Sequence, residues 1–224
     1  MERLHVDGYV VLRGFTALSD AARKAYARLA TDEAGPIFND NPDEHRNDNR
    51  RRQLTLSARS SAGPLVAALR RRLETQFPRH TARDWLLLES RPGCRQQAAH
   101  TDYVPTPELH GVCDDEMPLL FLLALEDDTR LEVWPRACLA GKPRRYPVFQ
   151  ETVRLSAGDA VLFRGDLVHA GSAYDRQNIR IHAYLDHPAV PRDPNRTWII
   201  YKHADPSLRQ LICESPPITA SAVP

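Results

Sequence analysis

The sequence predicts a mainly β fold, a double-stranded β-helix or jelly roll supported by two or more N-terminal helices. Short segments rich in leucine, β-branched and aromatic residues follow one another between proline, glycine or aspartate turns, and helical periodicity is confined to the region before them. Such a series of β segments in one domain is typical of two sheets that share an interior. The eight predicted strands are 85–90, 96–103, 119–125, 130–134, 152–155, 159–163, 167–170 and 179–185.

The region before these strands contains a predicted edge strand and two predicted helices. Residues 8–15 are β-rich and bounded by glycines, which indicates a short strand at a sheet edge. Ser19 can cap a helix that runs to about Ala30, because a serine side chain accepts hydrogen bonds from free N–H groups of the first turn. Ser61 is the start of the predicted cap of a second helix, and that helix is predicted to end near Phe77. Its apolar positions recur at intervals of four, at Leu65, Leu69 and Leu73.

A polar stretch between the two helices is predicted to be a long loop. Residues 35–57 are rich in asparagine, aspartate, proline and arginine and show neither a helical nor a strand period. Long loops in compact domains are usually functional or disordered, and both interpretations stay open here. As a functional loop, 36–52 is expected to fold over the pocket mouth and help to select the substrate. The arginine run at 50–52 is expected to be solvated, or else to meet an anionic substrate.

Length and composition favour a single domain without a charged macromolecular partner. The 224 residues suit one domain over 1–224, with a helical and loop part at about 16–80 and a strand core at about 85–186. Lysine and arginine number 30 against 29 acidic residues, so the net charge of +1 argues against a nucleic-acid or membrane-surface partner. The longest apolar run, 117–125, is far shorter than the roughly 20 residues that a membrane helix needs.

The four cysteines are expected to be reduced. They lie far apart, at positions 94, 113, 138 and 213, and form no Cys-x-x-Cys pair. The chain begins without an apolar signal region. This pattern favours a reducing, cytoplasmic location.

The triplet His100-Thr101-Asp102 is the strongest chemical signal. Side chains two apart on a strand share a face, so His100 and Asp102 would project together while Thr101 turns away. Two imidazoles and one carboxylate form the facial triad that holds a divalent iron and leaves positions free for a co-substrate and oxygen. His169, in the seventh predicted strand, is the candidate second histidine. The structural alternative is a solvated histidine at 100 beside a surface aspartate, with a core histidine at 169.

Arg180 is the candidate group for binding a carboxylate. It lies eleven residues beyond His169, at the start of the eighth predicted strand, and a guanidinium can hold a carboxylate in a bidentate fork. A hairpin is expected to place Arg180 one strand over from His169. Arg176, in the turn before the strand, is the weaker candidate, and an ion pair of Arg180 with Asp175 or Asp186 is the structural alternative. The strand alternates between a polar and an apolar row, namely Arg180, His182 and Tyr184 against Ile179, Ile181, Ala183 and Leu185.

At these residues the chain resembles the Fe(II)- and 2-oxoglutarate-dependent oxygenases, most closely the phytanoyl-CoA dioxygenase-like branch. The resemblance covers the N-terminal strand and about 91–186. Its motifs are Gly8-Tyr9-Val10-Val11-Leu12-Arg13-Gly14-Phe15, His100-Thr101-Asp102, Gly158-Asp159, His169-Ala170-Gly171-Ser172 and Arg180. It implies that His100, Asp102 and His169 bind Fe(II) and that Arg180 clamps the distal carboxylate of 2-oxoglutarate. It also implies hydroxylation with release of succinate and carbon dioxide, since halogenating members leave open the ligand position that Asp102 occupies.

Further residues are candidates for contacts with the co-substrate or the substrate. Many members of that family carry a serine two residues after the clamping arginine, where this chain has His182. His182 and Gln97 are expected near 2-oxoglutarate, and Tyr103 and Trp134 near the substrate. Trp134 is equally a core or pocket-wall residue. The substrate is expected to be a small molecule or a peptidyl group.

Two other functions would use the same residues. Two histidines and an aspartate also suit zinc with an open position, as in a zinc-dependent hydrolase or a cupin-type isomerase. A jelly roll can also serve as a non-catalytic binding module whose loops bind the partner. Production of succinate from 2-oxoglutarate separates an oxygenase from the first alternative, and metal content separates it from the second.

Overall fold

The computed structural model of the chain describes residues 2–37, 50–57, 63–140, 148–192, 197–204, 209 and 212–213. No helix in these ranges is long and apolar enough to cross a lipid bilayer. The helices are α1 (Glu2–Val6), α2 (Asp20–Glu33), α3 (Gly63–Gln76), α4 (Pro107–Gly111) and α5 (Ile200–His203). The strands are β1 (Tyr9–Leu12), β2 (Gly35–Pro36), β3 (Arg51–Thr55), β4 (Thr81–Ser90), β5 (His100–Thr101), β6 (Leu119–Ala124), β7 (Thr129–Cys138), β8 (Val148–Phe149), β9 (Glu151–Leu155), β10 (Ala160–Arg164), β11 (Leu167–Gly171), β12 (Asn178–Asp186), β13 (Trp198–Ile199) and β14 (Ile212–Cys213).

Two antiparallel sheets form the framework of the described chain. Over the described residues, the larger sheet has seven strands in the order β1-β10-β6-β12-β4-β3-β2, and the smaller has five in the order β13-β5-β11-β7-β9. A short parallel pair joins β14 to β8. The inner faces of the two sheets meet in a buried apolar cluster that includes Leu122 and Phe163 from the larger sheet and Val133 and Leu155 from the smaller. The fold is therefore mainly β, as predicted, with a core between two packed sheets.

Helices α2 and α3 cover the outer face of the larger sheet. Period-two alternation along β12 directs Ile181 outward, into a buried cluster that also contains Tyr26 of α2 and Leu69 of α3. Helix α2 begins where predicted, because the Ser19 side chain accepts a backbone hydrogen bond from the first turn. The second predicted helix is α3, and its predicted cap, Ser61, lies outside the described residues. The helices thus bury the apolar row of β12, and the polar row faces the interior.

Most of the predicted strands are confirmed, and one is much shorter than predicted. The predicted strand at 8–15 is β1, at one edge of the larger sheet. The segment 96–103 is reduced to β5, because Gln97 pairs with Gly171 partly through its side chain. The Gln97 N–H donates to the Gly171 carbonyl at 2.9 Å, and the Gly171 N–H donates to Gln97 Oε1 at 2.9 Å. A side-chain oxygen thus replaces one carbonyl of the ladder.

The prediction of a long loop at 35–57 is wrong for part of that stretch. Strands β2 and β3 lie within it, and β3 pairs antiparallel with β4 along its whole length. Its polar composition hid this strand, because ladder pairing needs backbone groups rather than apolar side chains. Residues 38–49, where most of the lid was expected, lie outside the described residues. The strands therefore extend beyond the expected core of 85–186, to β1 and β3 on its N-terminal side.

We expect Gly158→Ala to destabilise the fold more than Gly14→Ala. Both glycines have positive φ, 89° and 56°, where an alanine costs roughly 1 to 2 kcal/mol. An added Cβ on Gly158 would also lie 2.4 Å from the Thr16 carbonyl oxygen, whereas one on Gly14 would meet no described atom within 4 Å. Overpacking of this kind adds roughly 1 to 3 kcal/mol. Urea unfolding of both variants measures the difference, and equal losses would contradict the close approach of this turn to Thr16.

Candidate metal centre and carboxylate site

His100, Asp102 and His169 converge between the two sheets. Strand β5 pairs with β11 at the register His169↔His100, and the two ring centroids lie 4.5 Å apart. Asp102 follows directly after β5, and its Oδ1 lies 3.6 Å from His100 Nε2 and 3.8 Å from His169 Nε2. One ligand atom from each residue lies within 4.8 Å of the others, and all three residues are buried. Pairing of β5 with β11, and the position of Asp102 directly after β5, thus bring these side chains together.

Both histidines direct Nε2 to the space between them and Asp102, because each Nδ1 faces a backbone carbonyl. His100 Nδ1 lies 2.7 Å from the Ala98 carbonyl oxygen, and His169 Nδ1 lies 3.0 Å from the Leu167 carbonyl oxygen. A carbonyl oxygen only accepts, so Nδ1 holds the proton of each neutral ring and Nε2 keeps its lone pair. Burial, with His100 beside it, lowers the pKa of His169 to about 4 against the opposing effect of Asp102. The His169 ring is therefore neutral at pH 7 and able to bind a metal.

The Asp102 carboxylate is buried and ionised. Burial raises its pKa, but the neighbouring imidazoles, as they gain protons at low pH, and a hydrogen bond from the Tyr184 hydroxyl bring the pKa below its usual value. Burial raises the pKa of Tyr184 well above its ordinary value, so this hydroxyl keeps the proton that it donates. Oδ1 of Asp102 faces His100 and His169, whereas Oδ2 lies 3.9 Å from His182 Nε2. The donor set is therefore two imidazole nitrogens and one anionic oxygen.

The expectation that a hairpin places Arg180 one strand over from His169 is wrong. After β11 the chain crosses to the larger sheet, where β12 pairs with β4 and β6. The predicted parity is confirmed, because Ile181 joins the outer cluster while His182 of the polar row reaches Asp102. Arg180 therefore approaches from the facing sheet. A crossover between sheets preserves alternation along a strand but does not keep consecutive strands adjacent.

Arg180 is buried without a carboxylate partner among the described residues. Its Nη1 donates to Ser90 Oγ at 2.9 Å, and its guanidinium carbon lies 5.8 Å from the centroid of the Tyr174 ring. Within the described ranges, no acidic side chain lies within 4.0 Å of its guanidinium, and Asp186 binds other side chains instead. Arg176, the weaker candidate, is 65% exposed and pairs with a surface aspartate. A buried cation is costly unless it meets an anion, so the Arg180 position favours a carboxylate ligand.

Ser90 and Arg51 adjoin this arginine. Ser90 was not predicted as a site residue, and Arg51 was considered only as part of the arginine run at 50–52. Ser90 is fully buried at the end of β4, and its Oγ accepts from Arg51 Nη1 at 3.1 Å as well as from Arg180 Nη1. Strand alternation could have predicted which face Ser90 occupies. Its neighbour Glu89 lies on the opposite face of β4, with Arg52. No comparable signal existed for Arg51, whose strand was predicted to be loop.

The expectation of a solvated arginine run at 50–52 is wrong for Arg51 and Arg52, whereas Arg50 is exposed. Arg52 is largely covered, and its Nη1 lies 3.5 Å from the buried Glu89 carboxylate. Arg51 is buried on the other face of the sheet, because pairing of β3 with β4 turns successive side chains to opposite sides. Its Nη2 donates to three backbone carbonyls, those of Arg95 and Ser172 at 2.6 Å and that of Gly171 at 3.1 Å.

The two further co-substrate candidates, His182 and Gln97, differ in which side-chain atoms remain available to a ligand. His182 lies beside Asp102, and its buried Nδ1 has no hydrogen-bond partner in the described part of the protein. Burial lowers the pKa of His182 to about 4 despite Asp102, so the ring is neutral at pH 7. Gln97 already uses its side-chain oxygen to accept from Gly171, so only its amide nitrogen remains to donate to a ligand.

The two substrate candidates are both engaged elsewhere. The Tyr103 hydroxyl donates to Asp186, and its ring covers Gly165, where an added Cβ would lie 2.3 Å from a ring atom. Trp134 is buried with residues of β11 and α5 on the outer face of the smaller sheet, whereas its neighbour Val133 faces the interior. The structure therefore does not bring Trp134 to the triad, and alternation along β7 is the reason. Substrate contact by Tyr103 stays a prediction.

Solved structures share this fold, although sequence comparison finds no relative. No family model matches the chain, and no curated protein matches it. The non-heme alpha ketoglutarate dependent epimerase SnoN from nogalamycin biosynthesis has a TM-score of 0.59 at 20% identity, over 87% of this chain and 91% of SnoN. A Pseudomonas putida prolyl-4-hydroxylase has 0.57 at 16%, over 83% and 96%. HygX from Streptomyces hygroscopicus, with nickel and 2-oxoglutarate bound, has 0.58 at 13%, over 82% and 84%.

The structural neighbours of this chain are iron- and 2-oxoglutarate-dependent enzymes. SnoN, for example, has been solved with Fe3+ and alpha ketoglutarate. At these identities the likeness establishes a common fold, and the activity has to be argued from the site itself. The phytanoyl-CoA dioxygenase-like branch is not confirmed by these comparisons and stays a prediction.

We expect Arg51→Met to lower the free energy of unfolding by at least about 2 kcal/mol, because buried acceptors that lose a partner cost roughly 1 to 3 kcal/mol each. Arg154→Met is the matched control. Arg154 is 62% exposed and pairs with Asp128 at 2.6 Å, and surface ion pairs contribute about 1 kcal/mol or less. Urea unfolding of both variants provides the comparison. A similarly small loss in both would mean that the buried contacts of Arg51 add little to stability.

Proposed function

We propose that this protein is an Fe(II)- and 2-oxoglutarate-dependent oxygenase that hydroxylates a small molecule or a peptidyl group and releases succinate and carbon dioxide. One observation supports this above all: a buried His-Asp-His set shares its interior with Arg180, a buried cation that has no acidic partner among the described residues. A metal alone would account for the first feature. A dicarboxylate that binds a metal at one end and a guanidinium at the other accounts for both.

The residues present fit a non-haem iron. His100 and His169 offer their Nε2 atoms and Asp102 offers one carboxylate oxygen, which is the facial triad of two histidines and one carboxylate. The carbonyls of Ala98 and Leu167 fix both tautomers, so the ligand atoms are already oriented. When bound there, the iron supplies oxygen chemistry coupled to decarboxylation of 2-oxoglutarate.

Arg180 and Ser90 are the groups that we assign to the distal carboxylate of 2-oxoglutarate. The guanidinium offers a planar pair of N–H donors, which matches two carboxylate oxygens. The Ser90 hydroxyl accepts from two guanidinium groups, so its own proton is free to be donated to an anion beside Arg180. Contacts by His182 Nδ1 and by the Gln97 amide nitrogen stay predictions.

The substrate class is proposed from what the structural neighbours bind. HygX has been solved with hygromycin B, and a prolyl hydroxylase from Trichoplax adhaerens with a peptide fragment. A small molecule and a peptidyl group are thus both accommodated on this fold. Hydroxylation is favoured because Asp102 fills the third ligand position.

We further propose that the two facing sheets are the double-stranded β-helix of these oxygenases and that residues 1–224 form one oxygenase domain. The support is the packing of α2 and α3 on the outer face of the larger sheet, in the same buried cluster as β12 and β6. An N-terminal part that shares its core with the strand region is expected to fold with it. The cytoplasmic location stays a prediction.

The alternative functions gain no support from the comparisons. A zinc-dependent hydrolase or a cupin-type isomerase would use the same three ligands but would give Arg180 no partner. A non-catalytic binding module would need neither the ordered tautomers nor the buried cation. Release of succinate that depends on iron and 2-oxoglutarate is the deciding experiment, because neither alternative produces it.

We expect Asp102→Asn to abolish succinate release and to weaken binding of Co2+, used as a probe for iron, by more than the roughly 10- to 100-fold typical of residues that only orient a ligand. The substitution keeps the shape of the side chain and removes the anionic oxygen. Glu132→Gln is the matched control, because Glu132 is also buried but accepts from Ser172, Thr152 and Gln150 outside the triad. Equal Co2+ affinity in the two variants, by calorimetric titration, would overturn the ligand assignment.

We expect Arg180→Ala to weaken 2-oxoglutarate binding by roughly ten- to a hundredfold or more, since each charge-assisted hydrogen bond contributes roughly 1.5 to 3 kcal/mol. Arg180→Lys should restore part of the affinity, because one ammonium group cannot reproduce the fork. Arg176→Ala is the control, with an exposed side chain on the turn before β12. The measurement is anaerobic titration of 2-oxoglutarate into metal-loaded protein. A loss in the Arg176 variant alone would reverse the assignment.

A further inference from the structure

We propose that Arg51 is a positioning residue of the proposed 2-oxoglutarate site: it holds the Ser90 hydroxyl so that the hydroxyl proton is donated to the distal carboxylate bound by Arg180. This inference rests on the proposed function. It adds a residue that acts on the co-substrate only through another side chain. The chain of contacts runs from the end of β11, through one guanidinium on β3, to the serine at the end of β4.

Strand register places Arg51 beside Ser90. The two residues lie directly opposite each other in the antiparallel pairing of β3 with β4, and both side chains are buried. Directly opposite residues on one face have Cβ atoms roughly 4.5 to 5.5 Å apart, close enough for their side chains to meet. Arg51 Nη1 donates to Ser90 Oγ at 3.1 Å. A slip of β3 by one residue would turn Arg51 to the other face, so the contact is a product of this register.

Backbone carbonyls of the other sheet fix the guanidinium of Arg51. Its Nη2 donates to the carbonyls of Arg95 and Ser172 at 2.6 Å and to that of Gly171 at 3.1 Å. Gly171 ends β11, and an added Cβ there would lie 2.9 Å from Arg51 Nη1, so the guanidinium packs closely against this strand. The guanidinium is planar and rigid. With Nη2 held by the smaller sheet, Nη1 points in a fixed direction toward Ser90.

Two guanidinium groups together make Ser90 a donor. Its Oγ accepts from Arg180 Nη1 at 2.9 Å and from Arg51 Nη1 at 3.1 Å. A serine hydroxyl has two lone pairs and one proton, and both lone pairs are engaged here. The hydroxyl can therefore offer only its proton to an anion beside Arg180. Loss of Arg51 would return one lone pair and let the hydroxyl rotate, so that its proton would no longer be directed at the carboxylate.

Other groups orient the metal ligands, so the role of Arg51 can be measured apart from metal binding. His100 and His169 are oriented through Nδ1 by the carbonyls of Ala98 and Leu167. The position of His169 is also set by pairing of β11 with β5 and β7. A substitution at Arg51 is therefore expected to change the affinity for 2-oxoglutarate and to leave the affinity for the metal unchanged.

The test is anaerobic calorimetric titration of 2-oxoglutarate into protein loaded with Co2+, with Co2+ affinity measured separately. We expect Arg51→Met to weaken 2-oxoglutarate binding by roughly tenfold or more, the effect of one lost hydrogen bond to a charged group. Arg51→Lys keeps the charge but not the planar fork, so it should lose less affinity than Arg51→Met and still bind more weakly than the unsubstituted protein. Both variants should keep the Co2+ affinity of the unsubstituted protein.

Arg52→Met is the matched control. Arg52 is the next residue on the same strand, and its guanidinium lies on the opposite face of the sheet, where it donates to the carbonyls of Thr31 and Ala34. The substitution thus removes the same group, also bound to backbone carbonyls, from the side away from Ser90. We expect the control to bind Co2+ and 2-oxoglutarate as the unsubstituted protein does.

A double-mutant cycle tests whether Arg51 acts through Ser90. Ser90→Ala removes the hydroxyl and should weaken 2-oxoglutarate binding by itself. Arg51→Lys is the partner substitution, because it keeps the positive charge. If Arg51 acts by directing the serine proton, the double variant should bind 2-oxoglutarate no more weakly than Ser90→Ala alone. Losses that multiply would overturn the proposal.

The outcomes separate this inference from the function on which it rests. If the unsubstituted protein binds no Co2+, or binds Co2+ but not 2-oxoglutarate, the proposed function fails and the inference fails with it. If it binds both and the Arg51 variants bind 2-oxoglutarate equally well, only the positioning role is overturned. A parallel loss of Co2+ affinity in the Arg51 variants, or an equal loss in Arg52→Met, would mean general destabilisation and would also overturn that role. Thermal unfolding shows which metal-free variants are folded, and Arg51→Lys decides the test if Arg51→Met is not.

Discussion

Burial of charged groups between two sheets is the constraint on which the rest of this structure depends. A carboxylate or guanidinium in an interior is tolerated only where hydrogen bonds or opposite charges compensate for lost water. The Asp102 carboxylate has imidazole nitrogens on both sides, those of His100 and His169 near Oδ1 and that of His182 near Oδ2. Arg180 meets this condition only in part, through Ser90. The interior is therefore complete on the metal side and lacks an anion on the Arg180 side, which is the arrangement that the proposed co-substrate would fill.

The metal side depends on a strand of two residues. His100 is held because β5 pairs with β11 on one side and with β13 on the other, where Ile199 lies opposite it. The Gln97 side chain adds a further contact to the end of β11. A short strand has few hydrogen bonds of its own, so its position is set by these neighbours. The ligand set is thus a product of strand pairing. The carbonyl that orients His169 belongs to β11, and the one that orients His100 lies just before β5.

The sequence by itself determined the features that depend on local alternation. Apolar residues two apart on β12 predicted an outer row, and the row packs on α2 and α3 because period two is a property of any extended chain. The same rule placed His100 and Asp102 on one side. The Ser19 cap could be predicted for an equally local reason, since a serine side chain before a helix accepts a hydrogen bond from a backbone N–H of the first turn. Most of the fold and the pair His100 and Asp102 were predicted from such short-range signals, whereas His169 was chosen from the resemblance of the spaced motifs.

Only the tertiary structure decided which elements meet. Two examples are that β12 lies in the sheet opposite His169 and that Arg51 is buried against the ends of other strands, since both depend on pairings between segments distant in sequence. A polar strand such as β3 has no periodic apolar signal, because its stability comes from backbone bonds to β4. Local patterns state which way a side chain points, and long-range pairing decides what it meets.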